Sequence, residues 1–226
     1  RLNTVENKMI AISSKLNIKN YLWAVGLKGS FITEWKKGRQ VYSFDLRNLG
    51  DSFLSLWESV LTVYALARSF GMAPKSILTK FSGFVPLAHR SQWVDEIRGV
   101  VFINDSKATN VDATIHALNT YKNVHLILGG RAKEDNFCQL QDSMKNISRI
   151  YLIGEAAALI ASNFEGHDIE QFDTLTDAFD SAISIATQGD TILFSPACAS
   201  FDQYLNFEER GKHFISLIKE SRNNII

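Results

Sequence analysis

Hydrophobic and polar residues alternate over positions 31–44, FITEWKKGRQVYSF, in two short runs on either side of a Lys-Gly pair. Alternation with a period of two, interrupted by a glycine, predicts a β-hairpin. Hydrophobic residues then recur at helical spacing over positions 54–70, and Gly71 is a natural end for that helix. Positions 74–81 are predicted to form a second, shorter helix.

The pattern changes after GFVPLAH, at positions 83–89, and we expect a domain boundary near residue 85. From there, short apolar runs alternate with amphipathic segments. The predicted strands are 100–103, 124–128, 150–153, 169–172 and 191–194. The predicted helices are 111–121, 137–145, 155–162, 176–186 and 207–219. Strands that alternate with helices indicate βαβ units, so the fold class is α/β with a doubly wound, Rossmann-like parallel sheet after residue 85.

In such sheets ligands bind beyond the carboxyl ends of the strands, so the loops that follow strands are where a site is expected. The first loop is NDSKATN, at 104–110. Thr109 and Asp112 resemble the start of a capping box, and the helix N-terminus offers unpaired N–H groups. Lys107 adds a positive charge, so the loop suits a phosphate or a carboxylate. An ordinary strand–helix turn with a solvated lysine fits these residues equally well.

The second and third loops are LGGRAKEDNF, at 128–137, and SPACASFDQYLNFEERG, at 195–211. Gly129 and Gly130 allow a sharp turn or a close approach to a ligand, but a plain Gly-Gly turn with a charged rim is the better interpretation of the second loop alone. In the third loop, Ser200 is a candidate hydroxyl ligand. It is a poor candidate for a nucleophile because no GxSxG motif is present. Cys198 is expected to be a small buried residue and not a reactive thiol.

Composition narrows the choice of partners. The 226 residues contain 24 Lys plus Arg and 24 Asp plus Glu, so the formal net charge is zero. A neutral chain is not typical of proteins that bind nucleic acid or an anionic membrane, although a local cationic pocket stays possible. No apolar run approaches membrane-spanning length. The two cysteines suggest no disulfide framework and favour a reducing compartment, and the five histidines show no metal-ligand spacing.

Taken together, three motifs resemble the Mur ligase family of peptidoglycan synthesis, and within it the branch that adds D-glutamate. The motifs are DSKATN after a strand, LGG followed shortly by a lysine, and SPACASFDQ-x-x-NFEERG. The resemblance covers residues 86–226 closely, as the C-terminal domain of the family. Residues 1–85 resemble the later part of its central ATPase domain. The phosphate loop GxxxxGK[ST] of that domain does not occur in these 226 residues.

The resemblance implies an ATP-dependent ligation that uses Mg²⁺, whose ligands are expected mostly outside this chain. The carboxylate of UDP-N-acetylmuramoyl-L-alanine would attack the γ-phosphate of ATP, and D-glutamate would attack the resulting acyl phosphate. By motif match, the D-glutamate ligands would be Thr109, Lys133, Ser200 and the backbone N–H of Phe207. Lys107 would be catalytic, beside the reacting phosphate or the acceptor carboxylate. Arg90 and Asp105 would lie on the nucleotide side, and no metal ligand is expected among these residues.

The sequence departs from the family pattern at three places. Ser55-Leu56-Trp57-Glu58-Ser59 stands where a His-Asn-x-x-Asn pattern is usual, so an amide near the adenine is replaced by a leucine. His89-Arg90-Ser91-Gln92 replaces the usual His-Arg-x-Glu and loses one carboxylate. Arg131 occupies a position that is often acidic. These changes affect the expected nucleotide contacts more than the expected D-glutamate contacts.

Two alternatives stay open. Another Mur-type ligase, such as one that adds a diamino acid or that adds glutamate to folate, would share the fold, although SPACASFDQ and NFEERG argue against it. A non-catalytic remnant or an anion-binding Rossmann-like module would share it as well, and the missing phosphate loop favours this for the isolated chain. We expect the chain alone to be inactive and the complete enzyme to be a cytoplasmic monomer.

Overall fold

The computed structural model describes residues 10–13, 21–50, 53, 56–85, 87–164 and 166–225. The described residues form two compact units, which meet in the chain between residues 85 and 86. Each unit has its own β-sheet and its own buried hydrophobic residues.

The first unit is built on a four-stranded sheet in the order β1-β2-β3-β4. Its strands are β1 (Ala11–Ser13), β2 (Trp23–Lys28), β3 (Phe31–Lys36) and β4 (Arg39–Asp45). β1 runs parallel to β2, and the other neighbouring strands are antiparallel. A 3₁₀ helix (Leu46–Leu49), helix α1 (Trp57–Ser69) and helix α2 (Pro74–Phe81) follow.

The hairpin predicted over residues 31–44 is confirmed as β3 and β4. Lys37 and Gly38 form its turn with φ angles of 49° and 73°, the left-handed conformation that matches the twist of a two-residue hairpin. Helix α1 confirms the predicted helix from Trp57 onward, and Gly71, with φ of 84°, lies just beyond its end. Positions 54 and 55 of that prediction lie outside the described residues.

A buried carboxylate connects the sheet of the first unit to helix α1. Glu34 is 1% exposed. Its oxygens accept hydrogen bonds from Trp23 Nε1 (2.8 Å), from Tyr64 Oη (2.8 Å) and from Arg68 Nε and Nη2 (2.8 and 3.0 Å). Burial by itself raises the pKa of Glu34, but these hydrogen bonds outweigh burial and hold the pKa below its ordinary value. The Glu34–Arg68 pair is therefore balanced in charge within the protein.

The second unit contains a six-stranded sheet in the order β5-β6-β10-β7-β8-β9. Its strands are β5 (Gln92–Ile97), β6 (Val100–Asn104), β7 (Val124–Gly129), β8 (Ile147–Ile153), β9 (Ile169–Phe172) and β10 (Thr191–Phe194). Its helices are α3 (Val111–Leu118), α4 (Ala157–Ala161), α5 (Leu175–Ile185) and α6 (Phe207–Ile225), with a 3₁₀ helix at Phe137–Asn146. Only the β5–β6 pair is antiparallel among these described strands. The predicted α/β class and the five predicted strands are confirmed.

Helices cover both faces of this sheet, because successive residues of a strand point to opposite faces. In β7, Leu126 and Leu128 belong to the buried cluster that includes α3 and the 3₁₀ helix, whereas Ile127 belongs to the cluster that includes α5 and α6. β7 is buried along its whole length, as is typical of a parallel strand covered on both faces.

The structure differs from the sequence prediction at three points. The pattern does not predict β5, because QWVDEI lacks regular alternation, and the strand has an irregular register between Trp93 and Asp95. Residues 137–145 belong to a 3₁₀ helix instead of an α-helix. The cap predicted at Thr109 is wrong by one residue, since Asn110 Oδ1 accepts the hydrogen bond from Ala113 N at 2.9 Å. Within the described parts of the chain, no helix is long and apolar enough to cross a lipid bilayer.

Candidate functional site

Strands β6, β10 and β7 are neighbours and run parallel, so the loops that follow them begin side by side at one edge of the sheet. Loop A is residues 105–110, loop B is residues 130–136 and loop C is residues 195–206. Open parallel sheets bind their ligands at this edge. These loops contain five of the residues that the sequence singled out: Asp105, Lys107, Thr109, Lys133 and Ser200. Phe207 is the first residue of α6, directly after loop C.

Asp105 is the first residue of loop A, and it is buried. Its Oδ1 accepts a hydrogen bond from Ser91 N at 2.9 Å, and its Oδ2 accepts one from Ser195 Oγ at 2.8 Å. Burial raises the pKa of Asp105 to about 6, although both hydrogen bonds favour the carboxylate. Asp105 therefore holds the segment around Ser91 and the start of loop C against loop A.

Arg90 lies in a turn between two residues with left-handed backbone, His89 (φ 62°) and Ser91 (φ 41°). The turn is packed against helix α6 through Asn104. Asn104 Nδ2 lies 3.0 Å from His89 Nδ1 and donates to Gly211 O at 2.9 Å. A Cβ at Gly211 would approach His89 Nδ1 to 2.3 Å, so a side chain there would displace the imidazole. Arg90 is exposed, and the turn presents its guanidinium to solvent.

The predicted functional side chains of loop A lie at the surface. Lys107 is exposed. Its Nζ lies 3.9 Å from the centroid of the Phe207 ring, and its backbone N–H donates to His89 O at 2.9 Å. Thr109 is partly exposed and directly precedes the N-cap residue Asn110. The cation–π contact holds the charge of Lys107 against the first residue of α6.

Loop B is entered through a Gly-Gly turn that packs closely against its neighbours. A Cβ at Gly129 would lie 2.1 Å from Ile153 O, and a Cβ at Gly130 would lie 2.4 Å from Ala199 O. Both glycines have φ near 127–128°, a conformation that other residues rarely adopt. The close approach of the end of β8 to Gly129, and of loop C to Gly130, therefore explains the two glycines.

Two basic side chains follow this turn, and their surroundings differ. Arg131 donates two hydrogen bonds of 2.9 Å to Glu155, and its backbone pairs with that of Ala199 in loop C. Lys133 is exposed, and it forms no ion pair within the part of the chain that the structure describes. Lys133 is therefore the one of the two whose charge is available to a ligand.

Loop C runs inward before it reaches α6. Ser200 is 2% exposed, and its carbonyl accepts hydrogen bonds from Gln203 N (3.1 Å) and Tyr204 N (2.8 Å). Cys198 is buried, and burial raises the pKa of its thiol to about 12. The thiol is therefore protonated at neutral pH, which confirms the prediction of a small buried residue.

Helix α6 is attached to the loops by two residues that belong to the motifs but were assigned no role from the sequence. Ser106 Oγ donates to Phe207 O at 2.8 Å, and the buried side chain of Arg210 donates to loops A and C. The sequence contains a signal for this burial, because Arg210 precedes the buried Phe214 by four residues and Leu217 by seven. The acceptors themselves could not be predicted, since Ser106 is 104 residues away in the chain.

The structure brings four of the sequence-predicted residues together in two pairs. Lys107 contacts Phe207 directly, and Asp105 is bonded to the turn that carries Arg90. The other three residues lie on the loops around them: Thr109, Lys133 and Ser200.

Residues 89–198 match a family model described as "Mur ligase, glutamate ligase domain". The UDP-N-acetylmuramoylalanine–D-glutamate ligase of Cereibacter sphaeroides strain KD131 is 38% identical over 215 residues, which are 95% of this chain and 46% of that protein. The protein of the same name from Dinoroseobacter shibae is 42% identical over 195 residues, 86% of this chain and 42% of its own length. The chain thus spans about half the length of the curated relatives it matches.

Solved structures share the fold at low sequence identity. The UDP-N-acetylmuramate-alanine ligase MurC of Thermotoga maritima aligns with a TM-score of 0.65 and 15% identity, over 90% of this chain and 47% of that one. Escherichia coli FolC, in complex with DHPP and ADP, aligns with a TM-score of 0.60 and 17% identity, over 90% and 46% of the two chains. The resemblance inferred from the three motifs is confirmed.

Proposed function

We propose that this chain, which contains a Mur ligase C-terminal domain, is part of an ATP-dependent ligase that joins D-glutamate to UDP-N-acetylmuramoyl-L-alanine. One observation carries the proposal: the loops that bear the three matching motifs follow adjacent parallel strands. The identity of 38% over 95% of the chain to a ligase named for these substrates supports it. Residues 86–226 are assigned to amino-acid binding, and residues 1–85 to the later part of an ATP-binding domain.

The proposed reaction has two steps. The terminal carboxylate of UDP-N-acetylmuramoyl-L-alanine attacks the γ-phosphorus of ATP, and the bond to ADP breaks. The amine of D-glutamate then attacks the carbonyl carbon of the acyl phosphate. Inorganic phosphate leaves, the amine nitrogen loses a proton, and an amide remains.

The D-glutamate site is assigned to loops A, B and C together with the start of α6. A dicarboxylate requires several convergent donors, because an unpaired carboxylate in a partly dry cleft is costly. Lys133 supplies a charge, and the hydroxyls of Thr109 and Ser200 supply neutral donors. Phe207 N–H belongs to the first turn of a 19-residue helix, where backbone N–H groups have no intrahelical acceptor and favour negative charge.

The phosphate and nucleotide side is assigned to Lys107, Arg90 and Asp105. Lys107 is exposed beside Phe207, so its ammonium can offset the charge that develops on the transferred phosphate or on the acceptor carboxylate. Arg90 is exposed and suits nucleotide phosphates. Both oxygens of Asp105 already accept hydrogen bonds, so its part is to fix the turn that carries Arg90.

Magnesium ordinarily bridges phosphate oxygens in phosphoryl transfer from ATP. Within the described ranges, no three His, Cys, Asp or Glu side chains are grouped so that they could hold a metal ion. The proposal accordingly assigns none of these residues to magnesium. We further propose a cytoplasmic, monomeric enzyme, which is consistent with the two free cysteines.

The test is a chimera that joins these 226 residues to the N-terminal half of the Cereibacter sphaeroides ligase. We expect ADP release that requires both D-glutamate and UDP-N-acetylmuramoyl-L-alanine, with L-glutamate as a poor substitute. The 226-residue chain alone should release no ADP, because its sequence has no phosphate loop. The proposal would be contradicted by a folded chimera that prefers a diamino acid, or by one that releases ADP at the same rate with and without D-glutamate.

A further inference from the structure

Arg210 lies in the first turn of helix α6 and is 1% exposed. Its guanidinium donates three hydrogen bonds to loops A and C. Nε donates to Ser106 Oγ at 3.1 Å, Nη2 donates to Ser106 O at 2.9 Å, and Nη2 also donates to Cys198 O at 3.0 Å. One side chain therefore ties helix α6 to the two loops that carry Thr109 and Ser200.

The same guanidinium reaches loop B without bonding to it. Nη1 is buried and has no hydrogen-bond partner among the described residues. It lies beside Gly130, where an added Cβ would approach it to 3.1 Å. A buried N–H donor without an acceptor is uncommon and calls for an explanation.

No carboxylate of the described residues is bonded directly to Arg210, although Asp202 is near enough to raise its pKa and the Phe194 ring centroid lies 5.7 Å from its guanidinium carbon. The acceptors of Arg210 are two carbonyls and a hydroxyl, which are neutral, and it forms no ion pair with a carboxylate of the described residues. Burial lowers the pKa of Arg210 to about 10, so the side chain is still charged at neutral pH. A buried charge that has no directly bonded counter-ion is unfavourable. The three loops that surround Arg210 are those assigned to a dicarboxylate ligand.

We propose that Arg210 is the positioning residue of the amino-acid site: it holds loops A and C against helix α6, and the carboxylates of the bound acidic amino acid supply the counter-charge that is not bonded to it directly. This inference rests on the proposed function, because it takes D-glutamate as the ligand. It adds a residue that acts mainly through the loops and through its charge, in contrast to the surface ammonium of Lys133.

The test measures D-glutamate and D-glutamine binding to the 226-residue chain by calorimetry or NMR titration, for wild type, Arg210→Gln and Arg210→Lys. Gln keeps a hydrogen-bond donor but loses the charge, whereas Lys keeps the charge but loses the planar fork. Arg222→Gln is the matched control, because Arg222 is an exposed arginine of the same helix that pairs with Asp95. Thermal unfolding of each variant reports whether the loops still pack.

We expect the wild-type chain to bind D-glutamate more tightly than D-glutamine, because D-glutamine has an uncharged amide in place of the side-chain carboxylate. Arg210→Gln should bind D-glutamate about tenfold more weakly or worse and should lose most of this preference. Arg210→Lys should keep the preference, although its melting temperature falls. Arg222→Gln should bind D-glutamate and D-glutamine with the same affinities as wild type.

Equal weakening of both ligands in a folded Arg210→Gln variant would overturn the charge role, because misplaced loops alone would affect the two ligands alike. Wild-type affinity in that variant would overturn the inference altogether. If Arg210→Gln does not fold, loss of the preference in folded Arg210→Lys decides against the inference, and its retention decides for it. A wild-type chain that binds neither ligand would instead contradict the proposed function, and the charge role with it.

Discussion

Among the described residues, Glu34–Arg68 in the first unit and Arg210 in the second are arginine-containing polar clusters with a buried member, and they differ in how their charge is balanced. In the first unit, Glu34 and Arg68 form an ion pair whose carboxylate accepts further hydrogen bonds from Trp23 and Tyr64. In the second unit, Arg210 bonds to neutral oxygens and leaves Nη1 unpaired. The first charge is paired directly within the protein, whereas the second has no carboxylate bonded to it and adjoins the loops to which we assign the acidic ligand.

The largest effect is expected from breaking the balanced cluster. Glu34→Gln leaves the partly buried guanidinium of Arg68 without its counter-ion, so the free energy of unfolding of the first unit should fall by about 3 kcal/mol, the lower end of the range for fully buried pairs. Urea unfolding of the chain would measure the loss, with Glu58→Gln, at an exposed position of helix α1, as the control. A change below about 1 kcal/mol would show that the Glu34 cluster does not hold this unit together.

Asp105 should make the stability of the second unit depend on pH. Its pKa is raised from 3.8 to about 6, so the folded state binds more protons than the unfolded state between these values. The contribution of Asp105 is therefore greatest below pH 3.8 and is lost as the pH rises through about 6, by roughly 3 kcal/mol in total.

Asp105→Asn should remove this slope, because the amide does not titrate and can still accept from Ser91 N. Unfolding free energies of wild type and Asp105→Asn, measured from pH 4 to pH 7, would test the expectation. Asp142→Asn, at an exposed position, is the control. Parallel curves for wild type and Asp105→Asn would mean that Asp105 titrates normally.

Lys133→Ala should raise the KM of the chimera for D-glutamate far more than its KM for ATP. Loss of one charge-assisted hydrogen bond costs about 1.5–3 kcal/mol, or about tenfold to a hundredfold in binding. Lys133→Arg should restore the affinity for D-glutamate only in part, because the planar guanidinium of arginine does not fit a site shaped for the compact ammonium of lysine. The comparison variant is Lys145→Ala, which removes an exposed lysine in the last turn of the 3₁₀ helix Phe137–Asn146. An unchanged KM for D-glutamate in Lys133→Ala would remove this residue from the site.

The smallest effect is expected at Arg131, although it is two residues from Lys133. Arg131 is exposed and already paired with Glu155, and such surface pairs often contribute nothing measurable. Arg131→Ala should therefore change the KM for D-glutamate by less than about twofold. A loss as large as that of Lys133→Ala would show that the ligand displaces Glu155 and uses both basic side chains.

Much of the fold follows from local patterns. The strands of the second unit were predictable because a parallel strand covered on both faces is apolar throughout, as β7 is. Strand β5 was not predictable, because it is an edge strand with an irregular register and its residues do not alternate regularly between hydrophobic and polar. The helix cap was misplaced because Thr109 and Asn110 are both good cap residues, and only the backbone decides between them.

The candidate site was predictable only in part. Motifs identified the loops and the exposed cations, because those residues are adjacent in sequence. Glu34 and Arg210 were not recognised as buried, since both acquire their partners from distant positions: Glu34 from Arg68, 34 residues away, and Arg210 from Ser106, 104 residues away. Helical periodicity places Arg210 on the same face as Phe214 and Leu217, but only the tertiary structure shows which acceptors it meets.

The central claim is that loops A, B and C, with the start of α6, bind D-glutamate. The most direct test is a ¹H–¹⁵N NMR titration of the 226-residue chain with D-glutamate, with L-glutamate as the control. We expect the largest shifts at residues 105–110, 130–133 and 199–207, smaller shifts with L-glutamate, and unchanged signals around Glu34. Shifts confined to the first unit, or loop signals that stay in place at saturating D-glutamate, would contradict the account.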